Sequence, residues 1–219
     1  MRERLGSRRG LTLIELLVTV TVLSIAVALV IPSVGQTGVL RVQSAVRTIA
    51  SDIALAQTEA MAFQTRRALY FGAIPSDAAG TAFEGGNGYV MVEPSGTSLG
   101  VANLQNYTLY MPEDPGRPFA RRFDEAKYGG SVITSPSFDG NPFLAFDELG
   151  GPLKSLTTGE PGSGGTVLVE AEGFGVSYEL TVEAMTGRVN IDRVEVVAPP
   201  APIPGPSGGA PQGMGAQIP

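Results

Sequence analysis

The feature that most constrains this chain is an apolar run of 24 residues, Leu11 to Val34, which contains one charged residue, Glu15. A helix of this length extends about 36 Å, enough to cross the roughly 30 Å hydrocarbon core of a bilayer. Four arginines and one glutamate precede the run, so the positive-inside rule predicts a cytoplasmic N-terminus and an external C-terminal part. Because a carboxylate in hydrocarbon is costly, we expect Glu15 to have a specific function.

A cleaved secretory signal peptide is the alternative interpretation of the same run. Ala26-Val27-Ala28 would supply its small-residue cleavage site, but the apolar pattern continues past these residues. We therefore predict that residues 11–34 stay on the protein as a transmembrane and assembly helix. Pro32 lacks a backbone donor and is predicted to kink this helix near its end.

The composition excludes several kinds of chemistry. The 219 residues include no cysteine and no histidine, which rules out disulfides, cysteine nucleophiles and the usual zinc sites. Without the first ten residues, 11 basic and 20 acidic side chains remain; so acidic a body argues against a broad nucleic-acid surface. The sequence shows no nucleophile–base pair and no phosphate-binding glycine loop, so we predict no enzymatic activity and no cofactor.

Residues 35–63 have a helical period and are predicted to form an amphipathic helix of about six turns. Its apolar stripe is predicted to be core, whereas most polar side chains are expected on other faces. The stripe comprises Val39, Val42, Val46, Ile49, Ile53, Ala56 and Ala60, and the polar side chains are Arg47, Ser51, Asp52, Thr58 and Glu59.

Residues 64–198 are predicted to form an antiparallel β domain that covers this stripe. The predicted strands are 68–73, 89–94, 107–112, 131–134, 142–150, 166–172, 176–184 and 187–198, and turns are predicted at 84–88, 137–142, 158–165 and 185–187. Residues 199–219 carry no charge and are rich in proline and glycine, so we predict a disordered tail. The predicted fold class is α+β, with one long N-terminal helix packed on an antiparallel β-sheet.

Two further groups of polar residues are candidates for function. The basic pairs Arg66-Arg67 and Arg121-Arg122 are predicted to be solvated strand or loop ends. A set of oxygen ligands lies within ten positions but lacks the spacing of a calcium loop, so a hydrated loop without metal is predicted. The set is Asp139, Asn141, Asp147 and Glu148.

The sequence around Gly10, with LTLIELLVTVTVLSIAVALVIP after it, resembles the class III signal of type IV pilins and type II secretion pseudopilins. The resemblance implies that a prepilin peptidase removes residues 1–10 by cutting between Gly10 and Leu11, and methylates the new N-terminus at Leu11. Glu15 takes the place of the family's assembly acid and Pro32 that of its helix-kinking proline. Family members usually have phenylalanine where this chain has Leu11.

The processed N-terminus would give Glu15 a partner. In a growing bundle of helices, the Glu15 carboxylate of an incoming subunit can pair with the Leu11 amine of its neighbour. Two poorly solvated charges then neutralise each other and fix the axial register of the subunits.

Later segments resemble the GspH/FimT type of minor pilin, namely residues 41–71, 146–151 and 186–189. The resemblance implies a non-enzymatic minor pseudopilin of a type II secretion system, which works in protein secretion. One alternative is a FimT-type minor pilin for pilus assembly or DNA uptake, with Arg188 as the candidate DNA contact. Another is a membrane-anchored binding domain that never polymerises.

The same resemblance implies where the protein resides and what it contacts. We expect the bacterial inner membrane, crossed once with the C-terminal domain in the periplasm, and then a pilus or pseudopilus. The expected partners are prepilin peptidase, other pilin or pseudopilin subunits, the inner-membrane assembly platform and membrane lipid. We do not expect DNA among them, because one arginine in an acidic domain releases few counterions.

Overall fold

The computed structural model describes residues 12–34, 36–95, 98–171 and 175–195, and for residues 28–34, 36–38 and 195 it describes the backbone alone. The predicted leader 1–10 and the predicted tail 199–219 lie outside the described residues. Two helices are followed by antiparallel strands, so the predicted α+β class is confirmed.

Helix α1 (Leu13–Val34) is apolar on nearly every side. Its described side chains, up to Val27, are all exposed. The hydroxyls of Thr19, Thr21 and Ser24 each donate to a carbonyl of the preceding turn, so these polar groups are satisfied within the helix. Among the described residues, no helix is both long enough and apolar enough to pass through a membrane.

Helix α2 (Gln36–Phe63) buries the predicted apolar stripe. Between Val42 and Ala60 the stripe side chains have 0–2% of their surface exposed. They pack against strands of two different β-sheets. Ala56 and Ala60 are small enough to let the sheets approach the helix closely.

The strands form two sheets and a short ribbon, rather than the single sheet that was predicted. The first sheet has the order β5-β2-β1-β7-β8, the second sheet has the order β11-β10-β9-β6, and β3 pairs with β4. All pairings are antiparallel. The strands are β1 (Arg67–Pro75), β2 (Phe83–Val92), β3 (Tyr110–Met111), β4 (Asp114–Pro118), β5 (Ala120–Arg122), β6 (Ser131–Phe138), β7 (Phe143–Phe146), β8 (Pro152–Leu153), β9 (Gly164–Ala171), β10 (Val176–Glu183) and β11 (Val189–Glu195).

The first sheet is buried on both faces. On one face Leu69 and Phe71 join the α2 core, and the Phe71 ring stacks on Phe138 of the second sheet with centroids 5.5 Å apart. On the other face Ala68 and Tyr70 belong to a second cluster, which the 3₁₀ helix Val101–Asn106 helps to cover. Burial on both faces explains why β1 is a continuous apolar run instead of an alternating one.

The turn predicted at 84–88 is wrong, because these residues lie inside β2. Its glycines permit close packing. A Cβ on Gly88 would lie 2.2 Å from the Arg121 carbonyl oxygen, and one on Gly86 would lie 2.5 Å from Cδ1 of Ile74. Glycine in a strand interior can mark such a close approach as well as a turn.

Asp52 is a buried carboxylate, although most polar side chains of this helix were expected on faces other than the apolar stripe. Asp52 is 5% exposed and accepts hydrogen bonds from the Tyr89 hydroxyl and from Nε of Arg121, both at 2.7 Å. Arg121, predicted to be solvated, is half-buried by this ion pair. Burial, followed by the Asp52 charge and hydrogen bond, raises the pKa of Tyr89 well above its usual value. The cluster ties α2 to β2 and β5.

A second ion pair corrects the prediction that Arg67 is solvated. Arg67 is 5% exposed; its Nη1 lies 2.6 Å from Oε2 of Glu93, and its Nε lies 3.4 Å from Oε2 of Glu59. Glu59 follows Asp52 by seven residues, so both acids lie on one side of α2. The helix is therefore joined to the sheet by an ionic contact at each of two levels.

Replacing Tyr89 by phenylalanine should reduce stability in a pH-dependent way. Loss of a hydrogen bond to a carboxylate is expected to lower the free energy of unfolding by about 1.5–3 kcal/mol at neutral pH. Because the pKa of Tyr89 is raised in the folded protein, its contribution is complete below about pH 10, the pKa of an unfolded tyrosine, and is lost as the pH rises through the folded-state pKa. Urea unfolding at about pH 8 to 11 should show the difference between wild type and Tyr89→Phe shrinking only above about pH 10.

Tyr110→Phe, at an exposed side chain, is the control for loss of one tyrosine. A difference between wild type and Tyr89→Phe that stays constant over this pH range would contradict the prediction.

Candidate functional site

The start of α1 is fixed by Thr12, which directly precedes the helix. Its hydroxyl accepts a hydrogen bond from the Glu15 N–H at 3.3 Å, and its carbonyl accepts from the Leu16 N–H at 3.1 Å. This is the geometry of an N-cap, and the sequence Thr-x-x-Glu is that of a capping box. The Glu15 carboxyl thus lies in the first turn of the helix, where the helix dipole favours negative charge.

Glu15 is the single ionisable side chain between Thr12 and Leu40. It is exposed, and no cation of the described residues forms an ion pair with it. Leu11, whose amine would be the nearest cation after cleavage, lies outside the described residues, as does Gly10. Within the part of the chain that the structure describes, the Glu15 carboxylate is therefore available for a partner.

The surface around Glu15 is unusual for a protein in water. Leu13 is 82% exposed and Ile14 71%, and apolar side chains continue on all sides of the helix up to Val27. A helix that is apolar all round is normally covered, either by lipid or by other helices. Pro32 lies inside α1, whose backbone continues to Val34, and the predicted kink remains a prediction.

Residues 5–31 match the family model of the prokaryotic N-terminal methylation motif. The matched range contains Gly10, Leu11 and Glu15. The motif supports a type IV pilin-like protein and processing of its N-terminus by a prepilin peptidase. No curated protein matches the chain, and no solved structure matches it. The match ends before α2, so the β domain must be interpreted from its own geometry.

Two loops meet at Gln57, near the C-terminal end of α2. Its Nε2 donates to the Gly150 carbonyl at 2.7 Å and to the Thr186 carbonyl at 2.6 Å. We call residues 147–151 and 184–187 the distal loop pair. The two loops lie more than 30 residues apart in the sequence, and no local pattern predicts that they meet. Only their shared contact with α2 reveals it.

Each loop of the distal loop pair presents an apolar side chain to solvent. Leu149 is 84% exposed and Met185 is 82% exposed. The Asp147 carboxylate fixes the first loop by accepting from the N–H groups of Leu149 and Gly151 at 3.0 and 2.7 Å. Met185 has a φ of +62°, a conformation that costs free energy in a non-glycine residue and occurs often at functional sites. Exposed apolar side chains on rigid loops are suited to a protein contact.

Arg188 is exposed next to this loop pair, as a DNA contact would require. Its surroundings are acidic, however. Glu183 lies across the hairpin, where its carboxylate accepts from Asn190 at 2.7 Å, and Asp192 follows on the same strand. One arginine in such a setting is a poor site for a polyanion.

Acidic and amide side chains between residues 139 and 147 form hydrogen bonds to backbone groups of nearby loops. Asp139 accepts from the backbone N–H of Ser163 at 2.9 Å, and Asn141 donates to the Lys154 carbonyl at 3.2 Å. Asp147 is used within the distal loop pair. No group of three or more candidate metal ligands occurs in the described ranges.

Gln57→Ala should loosen the distal loop pair. It removes two hydrogen bonds to backbone carbonyls, each contributing about 1 kcal/mol, so we expect a loss of about 1–2 kcal/mol in stability. Hydrogen exchange should rise in residues 147–151 and 184–187 and stay unchanged in β1. Thr58→Ala is the matched control, since Thr58 is exposed on the same helix and its hydroxyl donates to the Ala54 carbonyl alone. Equal exchange in both variants would show that Gln57 does not fix the loops.

Proposed function

We propose that this chain is a minor pseudopilin, a non-enzymatic filament subunit of a type II secretion system. The observation that carries the proposal is the methylation motif over residues 5–31, together with Glu15, which lies on an exposed apolar helix and forms no ion pair with a described residue. Before assembly, the apolar run 11–34, part of which lies outside the described residues, anchors the subunit in the inner membrane. The β domain stands in the periplasm, where the secretion cargo is.

Cleavage by the prepilin peptidase would supply a cation that can pair with Glu15. Cleavage after Gly10 creates a positive amine at Leu11, four residues before Glu15. The amine of one subunit and the Glu15 carboxylate of the next form an ion pair in a poorly solvated bundle of α1 helices. Breaking a buried pair by removing one partner costs about 3–5 kcal/mol, so the pair favours one axial register over all others.

The distal loop pair supports a role in subunit contacts. Leu149 and Met185 lie near the C-terminal end of α2, away from α1. Their exposure would be unfavourable in an isolated domain, whereas a neighbouring subunit could cover them. Methionine is also well suited to an adaptable interface.

Intact-mass measurement of the chain, with and without a prepilin peptidase, tests the processing step. We expect loss of residues 1–10 and addition of one methyl group at Leu11. An unchanged mass, or a cut close to Ala28, would contradict the proposal, and the second result would indicate an ordinary signal peptide.

Glu15→Val tests the assembly step. We expect normal cleavage by the peptidase but loss of the subunit from sheared filaments, because the neighbour's amine is left unpaired. Thr21→Val is the matched control, since Thr21 is a polar residue of α1 whose hydroxyl bonds within the helix. Full function of Glu15→Val would favour a membrane-anchored binding domain that does not polymerise.

The proteins that assemble with the chain decide between secretion and pilus functions. Recovery with secretion pseudopilins supports the proposal. Recovery with type IV pilins alone would instead indicate a minor pilin of the FimT type, and retention on DNA at low and moderate salt would then indicate DNA uptake.

A further inference from the structure

The outer face of the second sheet is acidic. The pairing of β9, β10 and β11 places Glu170, Glu179 and Asp192 on the side that points away from α2. Glu183 lies on the same side, opposite Arg188, which precedes β11, and the outward positions within these three strands include no lysine or arginine. Glu170, Glu179 and Asp192 form no ion pair with any cation of the described residues. The face therefore carries uncompensated negative charge.

Two negative charges on this face repel each other in an isolated domain. Glu179 stands directly opposite Asp192 in the β10–β11 pairing, and like charges in that arrangement destabilise a sheet. A cation from a neighbouring molecule would relieve this repulsion.

The outer side of α2 has the opposite charge. From Leu16 to Ser51 the only charged residues are Arg41 and Arg47. Arg47 is exposed and forms no ion pair within the described part of the chain. No described element covers Leu40, Ser44, Arg47, Ser51 or Leu55, all of which are exposed.

Arg47 lies at a groove that could receive a carboxylate. The groove has a volume of about 430 Å³, and its lining includes Arg47, Arg121, Ser44 and Ser51. Arg121 is held in place by Asp52 and by the Phe119 ring, 5.2 Å from its guanidinium carbon. Because Asp52 neutralises Arg121, the groove retains the charge of Arg47 and offers hydroxyl donors beside it.

We infer that the acidic outer face of the second sheet docks on the basic outer side of α2 of a neighbouring copy of this chain, with Glu179 and Asp192 directed to Arg47. The inference rests on the proposed function as a filament subunit. The two surfaces are different patches of one chain, so the contact is heterologous, and a heterologous contact that does not close generates an open helical assembly.

The area of this face determines whether the contact can form between free subunits or only within an assembly. Four strands about 4.8 Å apart and about eight residues long present roughly 450 Å², whereas a stable interface buries about 800 Å² on each partner. The contact is therefore too small to hold a free dimer. It forms when the α1 helices already bring two copies together, and it then selects their relative rotation.

Charge exchange tests the contact in the full chain, expressed with its peptidase and assembly machinery. Glu179→Arg and Arg47→Glu should each lower the amount of assembled subunit by about tenfold, because each places like charges in contact. The double variant restores the pair with its signs exchanged and should recover assembly to within about twofold of wild type.

Stability measurements separate this result from misfolding. Glu179→Arg places a cation opposite Asp192, so its melting temperature should be equal to or higher than that of wild type. A double variant that assembles no better than the single variants would overturn the inference, as would single variants that assemble normally. Normal processing and loss of assembly in Glu15→Val would meanwhile keep the proposed function intact.

Cross-linking provides an independent measurement. The chain has no cysteine, so a disulfide between Glu179→Cys and Arg47→Cys can form only at the introduced positions. We expect cross-linked copies in assembled filaments and none in dilute detergent. Glu113→Cys combined with Arg47→Cys is the control pair, since Glu113 is exposed on a different part of the domain. Equal yields for both pairs would contradict the docking.

Discussion

Burial of the α2 stripe between two β-sheets is the contact on which the rest of the domain depends. The first sheet alone would present its inner face, with Leu69 and Phe71, to water, and the second sheet would do the same with Val167 and Leu180. Fully burying one aliphatic or aromatic side chain contributes about 1.5–3 kcal/mol. The helix is therefore the element that makes two incomplete sheets into one core.

Polar contacts then determine how the helix lies on that core. Apolar burial is non-directional and would tolerate small slides or rotations of α2. The Asp52 and Glu59 contacts remove this freedom, because each acid meets an arginine from a different strand, Arg121 or Arg67. Gln57 adds a third fixed point at the distal loop pair. An orientation defined in this way matters for a subunit, since a neighbour must meet the same surfaces each time.

The sequence predicted the features that depend on periodicity and missed those that depend on tertiary contact. The stripe from Val42 to Ala60 repeats every three to four residues, and the hairpin between β10 and β11 lies between two alternating strands, so both were found. Arg67 was predicted to be solvated, and Asp52 was grouped with polar residues mostly off the apolar stripe, because charged residues are seldom buried. Their burial follows from partners 69 and 26 residues away, which no local pattern reveals.

The turn predicted for the glycine-rich segment 84–88 was wrong for a related reason. Glycine permits a turn, but it equally permits a strand to lie close to a neighbour, as Gly88 does against the Arg121 backbone. The same ambiguity does not arise at Gly10, where the residues on both sides carry the methylation motif. Specific motifs could therefore be predicted from sequence, whereas single permissive residues could not.

The two helices differ in how far their apolar side chains are buried, as the proposed roles of membrane anchor and filament subunit would require. α2 buries its apolar stripe within the chain, whereas the described side chains of α1 are exposed. Glu15 at the start of α1 and Arg47 on α2 lie on different helices, 32 positions apart in the sequence. Contacts at two such distant points constrain a neighbour far more than either does alone. In the proposed filament, an ion pair at Glu15 would set the axial position of the neighbour, and a contact at Arg47 would restrict the rotation that remains.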